Sequence, residues 1–124
     1  MKKRLLVVDD SRIMEIQIQM FLEGSEFEVA ACCENGEDAI ERYRELRPDV
    51  VTMDIIMPGL DGLETAQIIL QEDPEAKIIM LSSLSYDGTR ETAEAIGTKK
   101  FLQKPVDRES LLTALKEVTG GAAE

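Results

Sequence analysis

Asp9, Asp10, Asp54, Ser82 and Lys104 all stand at the ends of short, largely apolar runs in this 124-residue chain. Three carboxylates brought together disfavour one another's ionisation unless a cation comes between them. Hard oxygen donors with no imidazole and no nearby thiolate select magnesium, which accepts carboxylates together with waters and phosphate oxygens. Lys104 adds a positive charge that pairs with a carboxylate or with phosphate. Asp54, the carboxylate apart from the Asp9/Asp10 pair, is then the candidate nucleophile. An aspartate oxygen can form an acyl phosphate while the acid pair holds the metal, and Ser82 can donate a hydrogen bond to a phosphoryl oxygen. Each residue alone has a plainer role: an Asp after a strand caps a helix, a Ser forms a turn, a Lys before Pro faces solvent. The combination on one rim favours the chemical reading.

Composition narrows the alternatives. The chain has no histidine, which removes Ser-His triads, imidazole metal sites and any role as a phosphohistidine carrier. It has 25 acidic and 14 basic residues, a net charge of -11, and so repels nucleic acid and anionic lipid. With 44% hydrophobic residues, it can fill a single core without a disulfide or structural metal. Cys32 and Cys33 are adjacent in a strand-like run, where neighbouring side chains point to opposite faces and do not readily bond each other. A reducing setting fits. After Lys2, Lys3 and Arg4 only Leu5 to Val8 precede Asp9, too short an apolar run for a signal peptide or membrane span. The expected location is the cytoplasm.

Five apolar runs alternate with helical patterns, predicting strands at Arg4 to Asp9, Phe27 to Cys32, Asp49 to Met53, Lys77 to Leu81 and Lys100 to Gln103. Most lack polar alternation, as parallel strands buried on both faces do. Ala39, Ile40, Tyr43 and Leu46 make one apolar helix face, and Leu111, Leu112, Leu115 and Val118 make another. Asp107 is placed to start the last helix and Gly97 to end the fourth. Right-handed crossovers then give an α/β fold, an open (βα)5 doubly wound parallel sheet, whose ligands sit at the carboxyl ends of the strands. The predicted unit is residues 1–119, with residues 120–124 as a flexible tail.

On these residues the chain resembles the response-regulator receiver domains of two-component signalling, from Lys3 to about Thr119. The matching segments are Val7-Val8-Asp9-Asp10-Ser11, Val51-Thr52-Met53-Asp54, Met57-Pro58-Gly59-Leu60-Asp61-Gly62, Leu81-Ser82-Ser83 and Phe101-Leu102-Gln103-Lys104-Pro105. The resemblance implies a flavodoxin-like strand order 2-1-3-4-5 and a phosphoacceptor at Asp54. It implies a Mg2+ site from Asp9, Asp10, Asp54 and the backbone carbonyl of Ile56. Ser82 and Lys104 would hold phosphoryl oxygens, and Lys104-Pro105 would be a cis peptide. A sensor histidine kinase or a histidine phosphotransfer protein would be the donor. Phosphorylation would draw Ser82 inward and let Phe101 swing, remodelling the helix 4, strand 5, helix 5 face that meets a downstream protein. No enzymatic turnover is implied beyond self-phosphorylation and self-dephosphorylation. Ile56 and Leu84 are apolar where other members carry polar or acidic groups, which implies slow self-dephosphorylation. Phe101 replaces the tyrosine many members carry, so the ring has no phenolic hydroxyl.

Two further readings belong to the sequence. In the first helix Met14, Ile18, Phe21 and Leu22 form one apolar stripe, while Ile13, Ile16 and Met20 form a second, roughly opposite. The second stripe is expected to dock the helical bundle of a kinase or phosphotransfer protein. The competing function is a haloacid-dehalogenase-type Mg2+ phosphatase, which also forms an aspartyl phosphate. Those enzymes resemble one another in an Asp-x-Asp pattern at the first strand, whereas Asp9 and Asp10 are adjacent here.

Overall fold

The computed structural model describes residues 2–83 and 88–120. Leu84 and residues 121–124 of the predicted tail lie outside the described residues. Among the described residues ten elements alternate strictly: β1 (Lys3–Val8), α1 (Arg12–Leu22), β2 (Phe27–Cys33), α2 (Gly36–Leu46), β3 (Val50–Asp54), α3 (Gly62–Glu72), β4 (Ile78–Ser82), α4 (Thr89–Ile96), β5 (Lys100–Gln103) and α5 (Arg108–Val118). All strand pairs are parallel, in the order β2-β1-β3-β4-β5. Asp9 is a correction: β1 ends at Val8, because the Asp9 side chain turns back to accept the Ser11 N–H at 2.8 Å. Conversely Cys33, Asp54 and Ser82 belong to their strands.

The sheet separates two apolar layers. One holds Leu6, Val8, Val51, Met53 and Met80 against Ala39, Ile40 and Tyr43 of α2, Ala66 and Ile69 of α3, and Ala93 of α4. The other holds Leu5, Val7, Ile79 and Leu81 against Met14, Ile18 and Leu22 of α1 and Leu111 and Leu115 of α5. The central strands β3 and β4 are buried throughout, which explains their lack of polar alternation. Leu46, Val118 and Phe21 are only half-buried, since each lies near the end of its helix, beyond full cover by the sheet. Cys32 and Cys33 are free thiols facing opposite layers.

Helix starts follow local chemistry. Ser11, Asn35, Asp61 and Asp107 each accept a backbone N–H three residues on, satisfying donors that the first turn leaves unpaired. Asp61 and Glu64 form a reciprocal capping box. Gly97, at φ 116°, ends α4.

Candidate functional site

The site lies along the carboxyl edge of the sheet, between β1, β3 and β5. Asp9 leaves β1 fully buried, Asp54 is the last residue of β3, and Lys104 follows β5. The Lys104 Nζ lies 3.0 Å from Asp9 Oδ2 and 3.2 Å from Asp54 Oδ1. Asp10 is exposed, yet one oxygen from each of Asp9, Asp10 and Asp54 lies within 4.8 Å of the others. None of these aspartates caps a helix; Ser11 does that for α1. Asp54 Oδ1 also accepts the Ile55 N–H at 2.9 Å, so both of its described contacts fall on the same oxygen.

Backbone bonds hold the rim in shape. The Lys104 N–H donates to the Ser82 carbonyl at 2.7 Å, tying the end of β5 to that of β4. Ser82 is buried at the end of β4. Lys104-Pro105 is cis. On the other side the Gly62 N–H donates to the Ile55 carbonyl at 2.7 Å, drawing the start of α3 against the segment that follows Asp54.

Burial pushes the Asp54 carboxyl above its ordinary pKa, and the charge of Asp9 adds to this against the opposing pull of Lys104 and the Ile55 N–H. Burial alone would lower Lys104, but Asp9 and Asp54 outweigh it, and its pKa is raised. Lys104 therefore stays charged and offsets one of three carboxylates. An all-oxygen donor set carrying that surplus of negative charge fits a hard divalent cation, with Asp9, Asp10 and Asp54 as the residues to hold it.

The other predicted positions lie outside the carboxylate cluster. The Ile56 side chain is 60% exposed beside it. Phe101 is half-buried on β5. Ile13, Ile16 and Met20 are 70%, 49% and 61% exposed on α1, facing away from the sheet that buries Met14, Ile18 and Leu22. Gly62, the last residue of the matching Met57-Pro58-Gly59-Leu60-Asp61-Gly62 segment, also shapes the site. A Cβ on Gly62 would lie 1.9 Å from the Asp54 carbonyl oxygen. Its sequence signal is a glycine just inside a helix start, where glycine costs about 1 kcal/mol against alanine.

A doubly wound sheet with three carboxylates and a lysine on one rim is an arrangement suited to accepting a phosphoryl group. The family model for the response regulator receiver domain matches residues 5–116, and the chain belongs to that family. A chemotaxis protein CheY of Listeria monocytogenes is 42% identical over 92% of this chain and 96% of its own length. The CheY of Thermotoga maritima is 38% identical over 96% and 99%. Among solved structures, a CheX-CheY-BeF3-Mg2+ complex from Borrelia burgdorferi matches with TM-score 0.89 and 30% identity, covering 94% of this chain and 88% of that one. The phosphatase alternative gains no support: the candidate nucleophile ends β3, and the family is that of receivers.

The protein is thus a CheY-like receiver, a signalling switch whose acidic pocket suits Mg2+ and phosphorylation. Among the described residues no helix is long and apolar enough to cross a membrane.

Proposed function

We propose that Asp54 accepts a phosphoryl group from a histidine kinase or histidine phosphotransfer protein and that residues 1–119 act as one switch in the cytoplasm. The observation that carries this is the placement of Asp54 beside Asp9 and Lys104, at 3.2 Å from the lysine. Its Oδ1 is held by Lys104 and the Ile55 N–H, so Oδ2 is the attacking atom. A new P–O bond forms as the P–N bond to the donor imidazole breaks; with acetyl phosphate, acetate departs instead. Asp9, Asp10 and Asp54, with the Ile56 carbonyl, would hold Mg2+, which would supply charge neutralisation for the incoming phosphoryl oxygens. Lys104 and Ser82 take two of those oxygens. The BeF3-Mg2+ composition of the Borrelia complex supports the same chemistry here.

Phosphorylation adds about two negative charges and three strong acceptors beside Ser82. That is large enough to bias Ser82, Phe101 and the α4-β5-α5 face, through which a downstream protein target is regulated. The stripe of Ile13, Ile16 and Met20 beside Asp10 receives the phosphodonor's helical bundle. Incubation with acetyl phosphate and Mg2+ is expected to add about 80 Da, one phosphoryl unit, to the intact mass. The adduct should be absent in Asp54→Asn and after chelation of Mg2+. An equal adduct in Asp54→Asn, or none in the native protein, would overturn the assignment.

A further inference from the structure

Helix α4 closes its two ends by different means. It has eight residues, of which only Ala93 is buried. At its carboxyl end the Gly97 N–H bonds Ala93 and Glu94 carbonyls, and both the N–H and hydroxyl of Thr98 donate to the Ala93 carbonyl, at 3.2 and 2.9 Å. At its amino end Gly88 offers no side chain as a cap. Arg90 sits in that first turn, where a cation meets the positive end of the helix dipole and gains nothing from the helix itself. Its guanidinium instead lies over the Phe101 ring, 5.2 Å from the centroid, and its terminal nitrogen donates to the Phe101 carbonyl at 3.4 Å. Phe101 stands opposite Met80 on the edge strand and packs, half-buried, against the α2-α3-α4 layer.

Phenylalanine has no hydroxyl with which to fix its ring to the surface. The electron-rich face is the handle that remains, and a guanidinium suits it.

We propose that Arg90 is a latch: it holds the Phe101 ring in its half-buried seat and pins the first turn of α4 to β5 while Asp54 is unmodified. An inward turn of the ring withdraws the aromatic face from the cation and releases the amino end of α4 to pivot about its Gly97-Thr98 anchor. The latch itself exists without phosphorylation; only its trigger rests on the function proposed above.

The test is amide hydrogen exchange on the full chain, read together with the Phe101 ring resonances. In unmodified protein, Arg90→Ala should speed exchange of the α4 amides about threefold to fivefold, the effect of losing a partly exposed cation–π contact. The α2 and α5 amides should not change, and the Phe101 ring signals should shift. Phe101→Leu should reproduce the α4 effect, and the double variant should exceed neither single one, because both remove the same contact. Arg90→Lys should restore part of the protection, keeping the charge but not the planar fork. Unchanged α4 rates in Arg90→Ala, unmoved ring signals, or additive effects in the double variant would overturn the latch. With acetyl phosphate and Mg2+, native α4 exchange should rise to the Arg90→Ala level, while Arg90→Ala itself rises no further. An adduct at Asp54 without that rise would overturn the trigger; a missing adduct would instead count against the phosphoacceptor assignment, with the unmodified-state measurements still deciding the latch.

Discussion

Glu15 shows what a single residue can hide. It occupies the buried side of α1 between Met14 and Ile18, and its Oε2 has no hydrogen-bond partner among the described residues. Burial pushes its carboxyl above the ordinary range, Glu34 and Asp9 add to the shift, and Arg12 opposes it. The folded state therefore favours the neutral form. Its contribution to stability is fully present below the ordinary glutamate value near ~4.3 and is lost as pH rises through the raised one. Glu15→Gln, neutral throughout, is expected to melt higher than the native protein at pH 8, with the difference closing toward pH 4. Thermal melts across that range check it; a constant difference would contradict the assignment. Sequence alone reads Glu15 as a polar residue at a helix surface, because the neighbours that bury it come from β2 and the loop after it. Arg90 was hidden for the same reason, since its partner Phe101 lies across a strand boundary. Asp9 and Asp54 were legible because each closes an apolar run that reads as a buried strand, and Lys104 because it follows a short strand-like run just before a proline.

At the level of elements, the five strands were readable from short apolar-rich runs, with boundaries off by one residue at Lys3, Asp9, Cys33, Asp49, Asp54, Lys77 and Ser82. The close approach of α3 to the end of β3 was not readable, because it depends on how two elements meet. Gly62 makes that approach. Replacing glycine by alanine inside a helix usually stabilises by about 1 kcal/mol. Here the added Cβ would collide with the Asp54 carbonyl oxygen at 1.9 Å, a backbone atom that cannot swing aside, so the sign reverses. Gly62→Ala is expected to lose about 1–3 kcal/mol in urea denaturation, the range of overpacked buried sites. It should also slow phosphorylation by acetyl phosphate, since Asp54 must shift with its carbonyl. A stabilised Gly62→Ala would show that the clamp is absent.

For the whole molecule, the sheet buries one stripe of α1 and leaves Ile13, Ile16 and Met20 exposed along a helix that starts two residues after Asp10. That two-sided pattern was legible in the sequence, because one helix packed on one side of a sheet has no internal use for a second stripe. Ile13→Lys together with Ile16→Lys should slow phosphoryl transfer from a protein donor at least tenfold, the effect of losing about 1.4 kcal/mol of docking energy. The rate from acetyl phosphate should stay unchanged, as measured by intact mass over time. Equal slowing with both donors would place the effect in the pocket instead of at the docking face.

Cys32 and Cys33 are consecutive in the chain, yet the sheet lies between their sulfur atoms. Cys32 packs beside the α1-α5 layer and is half-exposed, while Cys33 is buried under α2, its thiol pushed up to about 11 by burial first and by the Asp38 charge second. A reagent that reacts only with thiolates therefore meets one thiol it can reach directly and, one residue on, a second that waits for the α2 flank to open. The first serves as an internal reference against which breathing under α2 is read, with no label added to the protein.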